Sequence, residues 1–173
     1  MAMHSYTSRR EFEHYRFNPF VTILVPFAFI VIQAYLPAIF PRLLIFDLPL
    51  IAVIFFAVAR RNPIMGAVTG SLIGLFQDML THQPIGVQGI AKTIIGYIAS
   101  SIGLQVDVEN ITTRILMNFG FSILQSGLLF LIHRFMLGEA GKLLWLHEVY
   151  RAIFNTLLAI PIFLMLDRTK RRE

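Results

Sequence analysis

GAVTGSLIGLFQDMLTHQPIGVQGIAKTIIGYIASSIG, residues 66–103, holds two apolar stretches joined by a polar turn. Glycines stand at Gly66, Gly70 and Gly74 before the turn and at Gly89, Gly96 and Gly103 after it. Four-residue spacing keeps small residues on one slowly drifting helical face, each step adding about 40°. Such a face lets a second helix approach backbone to backbone. Two uses of the strip are open, close packing inside a bundle and a groove for a partner helix, and Gly66, Gly70, Gly74, Gly89 and Gly96 serve either. The segment also carries Asp78 and Lys92 in apolar surroundings, where a charge needs a partner. Lys92 follows Gly89 by three residues and precedes Gly96 by four, so it shares the small-residue face and is expected to point inward rather than to snorkel. At 1.5 Å per residue it sits about 9 Å in from Gly86. Pro84 and Gly86 mark the join as a tight turn rather than continued helix.

Outward from this hairpin the rest of the chain reads as further membrane spans. It has 173 residues, 56% of them hydrophobic and only 14% charged, with a mean hydropathy of +0.68. A soluble domain of this size could not hide so much apolar surface, so an integral membrane protein is expected. The pI near 10.0 follows from basic residues gathered at the ends of spans and calls for no nucleic acid. There is no cysteine, which excludes disulfides, thiolate metal sites and cysteine nucleophiles. The first apolar run has the length of a span and no small-residue cleavage pattern behind it, so it is expected to stay attached.

A hydrocarbon core of about 30 Å needs about 20 helical residues. Six spans are expected, at 19–36, 43–59, 63–80, 86–104, 111–135 and 149–166. The second is the weakest, because Asp47 and Pro49 interrupt its start; Pro49 suits an early helical position, so a short helix beginning at Leu48 is foreseen. The domain reading is a cytoplasmic extension over 1–17, a six-helix bundle over 18–167 and a basic cytoplasmic tail over 168–173. With the amino terminus inside, the inner side holds Arg9, Arg10, Arg16, Arg60, Arg61, Arg114, Arg168, Lys170, Arg171 and Arg172, and the outer side Arg42, Arg134, Lys142 and Arg151. That bias predicts both ends in the cytoplasm and an even number of spans. Residues 141–148, with Trp145, look like an interfacial stretch anchored at headgroup depth.

Under this topology Asp47, Asp78 and Lys92 form a polar cluster in the outer half of the bundle, where one or both acids can neutralise the lysine; pairing with Asp78 is the leading expectation and Asp47 the alternative. Arg114, Asn118, Ser122 and Gln125 share one face of the fifth span, and Arg151 and Asn155 one face of the sixth, as candidate interhelical hydrogen bonds. No catalytic, phosphate-binding or dinucleotide signature occurs: His147–Glu148 opens like a zinc-protease motif, but Arg151 stands where the second histidine is required. His82 has no second ligand at metal-binding spacing. Neither an enzyme nor a metal or other cofactor is expected.

D-L-P at Asp47–Pro49, the turn Arg60-Arg61-Asn62-Pro63, G-x-x-x-G-x-x-x-D from Gly70 to Asp78 and P-x-G from Pro84 to Gly86 together resemble the rod shape-determining protein MreD family. Order, spacing and length agree with it, best over residues 43–103. The resemblance implies a small polytopic inner-membrane protein of the bacterial elongation machinery, which regulates and positions rather than catalyses. Its implied partners are MreC, the actin-like MreB, the glycosyltransferase RodA and a penicillin-binding transpeptidase. Family members are similar in fold to the substrate-binding subunits of energy-coupling-factor vitamin transporters, which makes a vitamin-like ligand in the outer half the alternative. The leading expectation is a scaffold that holds the single transmembrane helix of MreC against its glycine-faced helices.

Overall fold

A computed structural model describes residues 16–17, 19–40, 45–106, 110–138, 145–168 and 170–171. Arg9, Arg10, Arg42, Lys142 and Arg172, which entered the charge count, lie outside the described residues, as do positions 43–44 of the expected second span and 141–144 of the expected interfacial stretch. Six helices follow one another: α1 Pro19–Ile39, α2 Leu48–Arg60, α3 Pro63–Leu80, α4 Val87–Gly103, α5 Ile111–Met136 and α6 Trp145–Asp167. Two short strands flank them, β1 Arg16–Phe17 and β2 Lys170–Arg171, paired antiparallel with Arg16 opposite Arg171. The start of α1 and the end of α6 are therefore at one end of the bundle.

Local chemistry sets the boundaries. Asp47 caps α2 by accepting from the Leu50 amide at 3.0 Å, with Pro49 in the first turn where no donor is needed. The helix ends at Arg61, whose left-handed φ of 52° stops propagation. Asn62 then caps α3 through the Ile64 and Met65 amides, ahead of Pro63, and Asn110 caps α5 through Thr112. Helix α6 begins a turn earlier than expected, at Trp145, so residues 145–148 are its first turn.

Three helices among the described residues, α3, α5 and α6, are long and apolar enough to cross a membrane, with 18, 26 and 23 residues. Six helices are present, as expected, and two of them, α2 with 13 residues and α4 with 17, are shorter than the spans expected there. Helix α2 has 13 residues, which reach about 20 Å. Its position accounts for this: every residue from Leu48 to Ala59 is buried. Between Leu48 and Ala59 it carries no polar side chain, so it has no face to spare for water or for a lipid-facing seam, and it occupies the centre. Ile95 and Ala99 of α4, Phe121 of α5, and Ala159 and Phe163 of α6 pack around it. The Phe55 ring meets Phe163 edge-on at 5.2 Å. Large apolar side chains on the other helices face outward, among them Phe27, Leu72, Leu116 and Leu157, the arrangement expected where the surrounding solvent is hydrocarbon.

Candidate functional site

The polar groups converge on the start of α2. Asp47, 3% exposed, and Lys92, 0% exposed, form an ion pair with Nζ to Oδ2 at 3.1 Å. Lys92 also donates to Gln88 Oε1, one turn back on α4, at 2.7 Å. Gln125 of α5 donates to Asp47 Oδ2 and, at 3.4 Å, to Gln88. The backbone amide of Asp47 is taken by Asn155 Oδ1 of α6 at 2.9 Å. Gln33 of α1 closes the remaining side: its amide nitrogen donates to the Phe46 carbonyl at 2.8 Å and its oxygen accepts from the Leu48 amide at 3.2 Å. Side chains of α1, α4, α5 and α6 are thereby tied to the N-cap of the central helix. Two opposite charges withdrawn from water need this degree of hydrogen bonding to be tolerated.

Asp78 takes a different role from the one expected. Lys92 pairs with Asp47, and the Asp78 carboxylate accepts from the backbone amides of Gly86 at 2.9 Å, Gln88 at 3.1 Å and Gly89 at 3.3 Å. The expected Lys92–Asp78 pair is corrected accordingly. Gly86, with φ of 104°, has no side chain with which to cap α4, so the free amides of the first turn are satisfied by an acid from the preceding helix. Pro84 and Gly86 stand in the turn as expected, and Val87 donates to the Pro84 carbonyl.

Glycines weld α3 to α4. A Cβ placed on Gly66 would lie 2.4 Å from the Gly96 carbonyl oxygen, one on Gly70 2.1 Å from that of Lys92, and one on Gly74 2.4 Å from that of Gln88. In the other direction, a Cβ on Gly96 would meet the Gly66 carbonyl oxygen at 2.2 Å, and one on Gly89 the Leu75 side chain at 3.0 Å. Close packing, the first of the two uses, is where these residues are spent. A partner helix cannot seat on the strip, because α4 already occupies it, and the expected docking surface is corrected.

The polar faces of the last two helices divide their work. Gln125 and Asn155 reach the Asp47 node. Arg114 pairs with Asp167 at the other end of the bundle, with its guanidinium carbon 5.7 Å from the centre of the Phe163 ring. Asn118 donates to the Arg114 carbonyl within its own helix, and the Ser122 carbonyl accepts from Ser126. Arg151 pairs with Glu148 at 3.2 Å. The sequence reading missed Gln33 and Gln88. Gln33 had a signal, as an isolated amide in an apolar span; Gln88 looked like part of the turn.

These features define a class: a helical membrane protein whose buried Asp47–Lys92 pair is held by side chains from several helices. The chain belongs to the MreD family, the rod shape-determining protein MreD, whose family description matches residues 15–169. It is thus a rod-shape-determining membrane protein of a structural family. Neither the curated proteins nor the solved structures searched gave a match.

Proposed function

We propose that this protein is a non-enzymatic scaffold and regulator of the bacterial cell-elongation complex that makes peptidoglycan. It lies in the inner membrane with both ends in the cytoplasm and binds the transmembrane helix of MreC. MreB, RodA and a penicillin-binding transpeptidase complete the assembly, with MreB reached through MreC or directly. Family membership over residues 15–169 carries this reading. The described connectors are short, which supports a role exercised by the bundle itself. The alternative, a vitamin-binding subunit like those of energy-coupling-factor transporters, needs polar groups free to meet a ligand. Asp47, Lys92 and Asp78 are instead committed within the chain, which favours the scaffold.

The test uses the absence of native cysteine. A photocrosslinker is placed through single cysteines at lipid-facing positions Phe27, Leu72, Leu116 and Leu157, all exposed, in cells that make MreC. A crosslink to the MreC transmembrane segment from one helix face is expected. No crosslink from any of them, together with a small molecule retained by the purified protein, would contradict the reading.

A further inference from the structure

The turn after α3 is exposed from His82 to Ile85, yet it is not loosely held. Gln83 donates to the Asp78 carbonyl at 3.2 Å and Gly86 to the Asp78 carboxylate at 2.9 Å, and His82 adopts a left-handed φ of 54°. Inward from the turn the contacts are continuous. The Asp78 carboxylate holds the Gln88 amide, the Gln88 side chain accepts from Lys92 at 2.7 Å, Lys92 donates to Asp47 at 3.1 Å, and Asp47 accepts the Leu50 amide at 3.0 Å. Each link uses a buried or part-buried group, so water offers poor replacement when one is broken. The last link is the N-cap of a helix buried along its length, which ends at the far side of the bundle in Arg60, hydrogen-bonded to Thr69 of α3.

We infer that the 81–86 turn and the start of α2 form one hydrogen-bonded relay, through which a displacement at the surface turn changes the hold on the central helix. Packing carries a disturbance at the turn along the glycine contact of α3 and α4 and onto α2 through Ile95 and Ala99. The relay gives it a second route, across to α2 and from there to α5 and α6 through Gln125 and Asn155. Coupling of this kind is carried by chains of hydrogen bonds whose members share acceptors. The inference concerns the bundle alone and is tested without a partner, so its failure leaves the proposed function standing.

Hydrogen exchange of the full chain in nanodiscs tests it. Asp78→Asn removes one acceptor oxygen facing the Gly86, Gln88 and Gly89 amides and should speed exchange there. With the relay, exchange at residues 47–50 should rise as well, by about tenfold, the size of coupling seen within one network. A rise confined to residues 86–89, or one of equal size in every helix, would overturn the inference. Gln88→Met supplies the second variant, because it keeps the backbone bonds to Asp78 and cuts the side-chain links to Lys92 and Gln125. Faster exchange at residues 47–50 with residues 86–89 unchanged is expected, and unchanged exchange at residues 47–50 would overturn it.

Discussion

Replacing Gly70 with alanine is expected to destabilise the bundle strongly, although alanine is the better helix former in isolation. The added carbon would lie 2.1 Å from the Lys92 carbonyl oxygen and 2.7 Å from its carbon. Both are backbone atoms in the middle of a helix, with no flexible end to swing away. Relief requires α3 and α4 to separate along their whole contact, opening the Gly66–Gly96 and Gly74–Gln88 approaches together. The cost belongs at or above the top of the range for overpacking, about 3 kcal/mol, a large share of the stability of a small bundle. Gly120→Ala and Gly127→Ala are the counterparts, because nothing lies within 4 Å of a carbon added at either; changes within about 0.5 kcal/mol are expected. Reversible unfolding in detergent micelles or bicelles, read for all three variants, checks the contrast. Equal tolerance at Gly70 and Gly127 would mean that α3 and α4 do not meet as described.

The second large effect concerns the ion pair. Lys92→Met leaves Asp47 charged and buried with only Gln125 and the Leu50 amide to hold it, and breaking a buried pair in this way costs about 3–5 kcal/mol. Asp47→Asn in the same chain removes the stranded charge and keeps a side chain well suited to cap α2. The double variant Asp47→Asn with Lys92→Met should therefore recover most of the stability lost by Lys92→Met alone. Asp78→Asn with Lys92→Met should recover none and lose more, since the Asp78 carboxylate holds the first turn of α4. A double-mutant cycle on folded yield measures both combinations. Rescue through Asp78 and not through Asp47 would reverse the assignment.

Much of this architecture was legible in the sequence, for physical reasons that differ from element to element. The helices could be located because apolar runs in a membrane protein are bounded by Pro, Asn, Asp and Gly, whose capping and breaking chemistry is local; Asp47 with Pro49 and Asn62 with Pro63 marked the starts of α2 and α3 to the residue. The glycine strip announced a close helix contact through its spacing. Its partner was not announced, since small residues invite any backbone, and only the three-dimensional arrangement assigns α4 to it. The choice between Asp47 and Asp78 was hidden for a similar reason. Both acids lie at the same end of the bundle, and what separates them is that Gly86 cannot cap α4 by itself, which commits Asp78 to backbone amides. Helix α2 was the weakest expected span because Asp47 and Pro49 interrupt its start, yet the absence of any polar residue from Leu48 to Ala59 was the sign of a central helix. Gln33 and Gln88 were missed as neutral amides with no motif around them.

The most direct test of the account is where its two ends lie. β1 and β2 place Arg16 beside Arg171, and the proposed topology accordingly has both ends on one side of the membrane after an even number of crossings. Because no native cysteine competes, Arg16→Cys, Arg171→Cys and Gln83→Cys can be labelled one at a time in intact cells and in inverted vesicles with a reagent that does not cross membranes. Labelling of positions 16 and 171 from the cytoplasmic side, with position 83 labelled from the opposite side, is the result predicted here. Positions 16 and 171 reacting from opposite faces would contradict the paired ends of the bundle and the scaffold proposed on it.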